Sequence, residues 1–320
     1  MYTTSTQVAA TTPTITLQAS FQSSASQPNK RFNSVLVVGG SGTLGTCIVQ
    51  ALHQQGYKIH LLSRNPDDLQ AKHPKLVGLA EGIVHGNLLA SLEGICNGID
   101  AVISCAGAAM DINNIRNKTS FYEVDYQGNL RLLSEAQRAG TAKFVYVSAF
   151  GAQTLRSEYT DAHEAFATAL QHSGMPHTVV RPTGFFSFMG EFVQMARRGA
   201  GFVVGSGTAR TNPIHEADVA ALCIQALFCD EPSIDCGGPD IFTREEIVRL
   251  AFQAVGKKPR ITHVPARMYS VLPTLAKPFN PRIAALLDFG GKVSLYDCIA
   301  PQRGERRLLD YFTALAATMR

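Results

Sequence analysis

From Ser34 onward, apolar runs alternate with stretches in which apolar residues recur every third or fourth position. The runs are "SVLVVGG", "YKIHLLSR", "GIVHGN", "DAVISCAG", "KFVYVSA" and "HTVVRP". Short apolar runs bounded by glycine, proline or polar clusters predict strands. Between them, "TLGTCIVQALHQQG" sets Leu44, Ile48 and Leu52 at i, i+4 and i+8, a helical stripe that stops at Gly56. "YQGNLRLLSEAQRAG" and "DAHEAFATALQHSG" predict helices closed by Gly140 and Gly174, and a short helix is expected near Leu88–Cys96. Several of the strands lack polar alternation, so both of their faces are buried. The expectation is an α/β fold, a parallel sheet covered by helices on both sides. After Arg181 the pattern loosens. "TGFFSFMGEFVQMARRG" and the chain from Thr243 predict a mostly helical lobe, dividing the protein into a sheet domain, 34–240, and a lobe, 241–320.

The turn after the first strand, "GGSGTLG", meets the pattern G-x-G-x-x-G, and Gly39, Gly42 and Gly45 also fall three apart. It follows a strand and opens an amphipathic helix. In that setting glycines give a tight turn, let a pyrophosphate approach main-chain N–H groups and let the helix pack on the strand. The helix N-terminus adds partial positive charge. The residues expected to carry phosphate are therefore Gly39, Gly40, Ser41, Gly42, Thr43, Leu44 and Gly45. A site that prefers NAD has an acid about 20 residues on, to grip the ribose 2′-hydroxyl. Here the second strand ends in "LLSRNPDD", with Arg64 at that place and the first acid, Asp67, beyond Pro66. A guanidinium suits a 2′-phosphate, so NADP(H) is expected over NAD(H).

Composition narrows the class. In 320 residues, 45% are hydrophobic and 17% charged, and the net charge is +4 without long basic runs, so no nucleic-acid partner is expected. No apolar run is long enough to span a bilayer, and no membrane partner is expected. The seven cysteines, at 47, 96, 105, 223, 229, 236 and 298, form no C-x-x-C pair. They read as reduced thiols of a cytoplasmic protein, with no metal site. Residues 1–33 are rich in Ser, Thr and Gln and carry no acid, which predicts a disordered tail. An organelle import signal is the other reading, though Lys30 and Arg31 are its only basic residues.

With "SRNP", "DAVISCAG", "YVSAFGA" and "VVRPTGFF" in place, the chain resembles the atypical short-chain dehydrogenase/reductases, in particular the NmrA-like NAD(P)H-binding group. The segments "ARTNPIHEADVA", "FTREEIVRLAF" and "KKPRITHVP" extend the resemblance toward the C-terminus. The resemblance implies a Rossmann domain with a C-terminal substrate lobe. It puts Asn87 and Leu88 beside the adenine, although an acid is common at the position of Asn87. Ser104, Cys105, Ala106 and Gly107 would line the cofactor ribose. Val147, at the end of the fifth strand, would also bind the cofactor, and Pro182 to Phe185 would lie at the nicotinamide.

The best-known members of the superfamily use Ser, Tyr and Lys, the last two as Y-x-x-x-K on one helix face. Here Tyr159 and His163 have that spacing, and Ser148 precedes Tyr159 by eleven residues. A neutral imidazole activates a phenol far less than a permanent ammonium does. Three readings stay open: a degenerate Ser148–Tyr159–His163 set, a reductase whose substrate is protonated by another group or by water, and a non-catalytic NADP(H) sensor. The expected substrate is a hydrophobic small molecule, because "GFFSFM" leaves the sixth strand where ligands bind in such sheets and can form an aromatic wall. His215 and Asp218 could face the same pocket, but acids in the first turn of a helix more often complement its dipole.

Overall fold

The computed structural model describes residues 32–108, 110 and 116–319. Of the predicted tail, residues 1–31 lie outside the described residues. Phe32 does not behave as tail. It is 1% exposed, and its ring lies 5.8 Å from that of Phe228. The Asn33 N–H donates to the Asp100 carboxylate at 2.7 Å.

The sheet domain runs β1 (Ser34–Val38), α1 (Thr43–Gln54), β2 (Lys58–Ser63), α2 (Pro66–Lys72), α3 (Pro74–Val77), β3 (Gly82–His85) and β4 (Ala101–Ser104). A π-helix, Tyr122–Gly128, then leads directly into α4 (Asn129–Arg138), followed by β5 (Lys143–Val147), α5 (Glu158–His172) and β6 (His177–Pro182). Beyond these come α6 (Phe186–Arg197), β7 (Gly201–Val204), β8 (Arg210–Thr211), α7 (Glu216–Ala226) and β9 (Ser233–Cys236). The chain ends with β10 (Phe242–Thr243), α8 (Arg244–Ala254), β11 (Ile261–Val264), α9 (Ala266–Ala276), α10 (Pro281–Leu295) and α11 (Leu308–Thr318).

Seven parallel strands form one sheet in the order β3-β2-β1-β4-β5-β6-β9. Successive side chains of a strand point to opposite faces. Val35 and Val37 of β1 accordingly pack with Ile48 and Leu52 of α1 and Val219 and Cys223 of α7, while Leu36 and Val38 pack with Leu132 and Leu133 of α4 and Phe166 and Leu170 of α5. This is the predicted parallel α/β sheet, covered on both sides. The chain reverses direction across the sheet between β1 and β4, which opens a crevice at their C-terminal ends.

The helix expected near Leu88–Cys96 does not form, and the segment is a series of turns. Gly94 and Gly98 sit at φ +85° and +73°, which no α-helix contains. The lobe is helical but holds two small sheets, β10–β8 antiparallel and β11–β7 parallel. Its core joins Phe186 and Val193 of α6 to Ile247 and Phe252 of α8 and to Leu308 and Phe312 of α11. The lobe thus draws on chain before residue 240 as well as after it. No helix among the described residues is long and apolar enough to cross a membrane.

Candidate active site

The glycine turn sits at the head of the crevice. Gly39 has φ +87°, and a Cβ there would lie 2.8 Å from the Ala106 nitrogen. The β1 and β4 loops therefore touch only because the side chain is absent. At Gly45 a Cβ would fall 2.1 Å from the Gly39 carbonyl oxygen, so this glycine lets α1 close on the turn. Gly42 is different. Its nearest neighbour to such an atom is the Gly39 oxygen at 3.4 Å, and Ser41, Gly42 and Thr43 are exposed. Helix α1 begins with no side-chain cap and no acid in its first turn. Uncapped N–H groups at a positive helix end, behind open glycines, fit a pyrophosphate.

The parallel register sets Val38 beside Leu62 and His85 beside Ser63. Arg64 and Asn87 therefore follow neighbouring strand ends at this edge of the crevice. Arg64 is exposed. The acids that follow belong to α2, whose N-cap Asn65 accepts from the Asp68 N–H at 3.1 Å. Asp68 pairs with Lys72 at 2.8 Å. Asn87 accepts from the Leu89 N–H at 3.0 Å, and Leu88 is buried with its carbonyl taken by Arg131.

Ser104 does not reach the crevice. It is fully buried, and its hydroxyl donates to Asn129 Oδ1 at 2.7 Å. The Cys105 thiol faces the Val38 carbonyl oxygen at 3.2 Å, and burial pushes it up to about 12. Cys105 and Ala106 are half-buried, and Gly107 is exposed. Val147 is buried at the end of β5.

Beyond the ends of β5 and β6 a cavity of about 1250 Å³ opens between sheet and lobe. The sheet side supplies Ser148, Phe150, Tyr159 and Pro182 to Phe185; α6 supplies Phe188 and Met189; α10 supplies Leu286 and Phe289. The aromatic wall expected from "GFFSFM" forms, except that Phe186 turns into the lobe core. The Ser148 hydroxyl is buried without a hydrogen-bond partner among the described residues. Tyr159 stacks edge-on against Phe121 at 5.4 Å, and burial together with the nearby Asp125 carboxylate raises its phenol above the ordinary value. The phenol thus keeps its proton.

His163 does not complete a catalytic set. It is 4% exposed, and its Nδ1 is hydrogen-bonded to the Tyr146 hydroxyl at 2.6 Å. Its ring meets the Tyr159 ring edge-on at 4.5 Å. Burial pulls its pKa down to about 4, so the imidazole is neutral and locked into the core beneath Tyr159. His215 and Asp218 are structural too. His215 caps α7, and Asp218 binds the Glu305 and Arg306 N–H groups and the Arg306 guanidinium.

Sequence reasoning missed the lobe side of the cavity. Arg244, Phe289, Lys292 and Asp297 line it. Arg244 opens a helix with a Thr243–Glu246 capping box, a signal that gives the helix start but not what the first residue faces.

The sequence profile of the NAD(P)H-binding family matches residues 39–230. The chain belongs to that family. The match spans the glycine turn, Arg64, Tyr159 and β6, and it makes the protein a member of an NAD(P)H-binding oxidoreductase family. The chloroplastic divinyl chlorophyllide a 8-vinyl-reductase of Arabidopsis thaliana is 27% identical, over 89% of this chain and 74% of that protein. The ceramide reductase of Caulobacter vibrioides is 30% identical, over 72% of this chain and 73% of that one. Among solved structures, the UDP-glucose 4-epimerase of Thermotoga maritima superposes with a TM-score of 0.62 at 18% identity, covering 82% of this chain and 97% of the epimerase. That likeness is one of fold.

Proposed function

We propose that the protein is an NADPH-dependent reductase of a hydrophobic small molecule. The observation that carries this reading is the large cavity walled by aromatic residues at the C-terminal ends of β5 and β6, with the Tyr159 phenol in its wall. The two reductases it resembles are named for lipophilic substrates, a chlorophyllide and a ceramide. Arg64, in place of an acid, supports NADPH over NADH, because a 2′-phosphate gains charge-assisted bonds there and a 2′-hydroxyl does not. Reduced nicotinamide supplies a hydride. The chain's own part is to exclude water with its apolar walls and to present a protonated phenol. With no lysine at position 163 and a disengaged histidine, Tyr159 acts as a neutral hydrogen-bond donor. The cytoplasm, or an organelle reached through residues 1–33, is the proposed location.

The test follows NADPH oxidation by its near-ultraviolet absorbance across a panel of hydrophobic carbonyl and vinyl compounds. With a substrate in hand, Tyr159→Phe should lower kcat a hundredfold or more if the phenol gives the proton, roughly 2.7 kcal/mol of transition-state stabilisation. His163→Ala should lower it less than tenfold. Equal large losses in both would restore a coupled pair. The second reading, a module that binds NADPH as a signal, is favoured by the hydrogen bond that gives the His163 Nδ1 to Tyr146 and not to the Tyr159 hydroxyl. It takes precedence if no compound is turned over while a ligand shifts the affinity for NADPH.

A further inference from the structure

Among the described residues, four charged side chains line the cavity: Arg156, Arg244, Lys292 and Asp297. Three have partners of opposite charge. Arg156 pairs with Asp161 at 2.8 Å, Lys292 with Asp288 at 2.7 Å, and Asp297 with Arg210 at 2.8 Å. Arg244 has no ion pair among the described residues. One terminal nitrogen donates to the Val293 carbonyl at 2.7 Å, and its Nε is buried without a hydrogen-bond partner among the described residues. The acids next to it in sequence are used elsewhere. Glu245 holds Arg249 and faces His263, and Glu246 closes the capping box on the Thr243 N–H.

A guanidinium carries five donors and keeps its charge in a protein. Burying that charge outside an ion pair is costly, and burial pushes its pKa downward, the Asp297 carboxylate offsetting only part of the shift. Its place at the first position of α8 adds to the cost, because the N-terminal end of a helix repels a cation. An anion arriving in the cavity would relieve both penalties. The cofactor phosphates do not supply it, since neither residues 39–45 nor Arg64 line this cavity.

We propose that the cavity is built for an amphipathic monocarboxylate, its apolar body lying among Phe150, Phe185, Phe188 and Phe289 and its carboxylate held by Arg244. The proposal deepens the reductase reading and rests on it for the identity of the site. Among the described cavity residues Arg244 is the one cation without an ion pair, Asp297 acting on it only from beyond ion-pair distance, and a single carboxylate matches it. A diphosphate would bring more charge than the walls can meet.

The test uses 1-pyrenebutyrate and its methyl ester as probes, read by fluorescence anisotropy on the full chain saturated with NADP+. The acid should bind at least tenfold more tightly than the ester. Arg244→Gln should bring the acid down to the ester's affinity and leave the ester unchanged, while Arg244→Lys should keep part of the preference. Phe188→Ser should weaken both probes alike. Equal binding of acid and ester to the unaltered chain overturns the carboxylate site and leaves the apolar cavity standing. A Gln variant that keeps the preference, or that loses both probes equally, also overturns it. Displacement of the acid by UDP at lower concentration than by unlabelled butyrate derivatives would replace the carboxylate with a diphosphate. If neither probe binds, the proposal falls together with the hydrophobic-substrate reading.

Discussion

Arg64 and His163 show how much one side chain decides in this protein. Arg64 stands where a carboxylate would select NAD, and the nearest acids, Asp67 and Asp68, open α2, Asp68 being bound to Lys72. Arg64→Ala should weaken NADPH by about tenfold to a hundredfold, the loss of one charge-assisted phosphate contact worth about 1.5–3 kcal/mol, and should leave NADH almost unchanged. Titrating both reduced cofactors against both chains checks this; a parallel loss of the two would show that Arg64 only supports the loop. The tyrosine–histidine spacing at 159 and 163 is visible in the sequence, but the partner that claims His163 is not. Tyr146 lies on β5, and only the packing of α5 on the sheet brings its hydroxyl to the imidazole. Arg244 was hidden for the same reason, because a capped helix start does not reveal which cavity its first side chain enters.

Among the elements, the glycine turn separates folding from binding. Gly45 is needed for α1 to close on β1, since a methyl group there meets the Gly39 oxygen at 2.1 Å, whereas Gly42 has room for one. Gly45→Ala should therefore destabilise the fold by about 1–3 kcal/mol or more, as overpacking does. Gly42→Ala should melt near the unaltered chain yet bind NADPH weakly, because its methyl group occupies the phosphate approach. Thermal melts beside cofactor titrations distinguish the two, and equal melting losses would refute the division. This turn was legible because its glycines are required by backbone geometry. The strands β1 to β6 were legible as apolar runs. The edge strand β9, "SIDC", was not, because two of its four residues are polar and it pairs on one side only. The two-residue strands of the lobe carry no pattern at all, and the π-helix differs from the α-helix it precedes only in hydrogen-bond register.

Over the whole molecule, two buried groups oppose each other in their response to pH. Asp125, on the π-helix, is fully buried; one oxygen accepts from the Ala108 N–H at 2.8 Å and the other has no hydrogen-bond partner among the described residues. Burial raises its pKa from 3.8 to about 7. Between those values the native chain holds a proton that the unfolded chain has released, so stability falls as pH rises, by about 1.4 kcal/mol per unit. His163 is lowered from 6.5 to about 4. Between those values the unfolded chain binds a proton that the native chain refuses, so stability rises with pH by the same amount per unit. From about pH 4 to 6.5 the two slopes cancel. Asp125→Asn, which keeps an acceptor for Ala108, should remove one slope and leave the other, so that stability grows by about 3 kcal/mol across that range. His163→Gln should show the reverse, losing stability as pH rises toward 7. Urea midpoints at several pH values read both effects, and an Asn variant as flat as the unaltered chain would show that Asp125 is ionised in the native fold. The offset also bears on the site. The carboxyl beside Tyr159 is largely neutral below pH 7, so acidification eases its hold on the phenol, and proton donation from Tyr159 should improve on the acid side of neutrality.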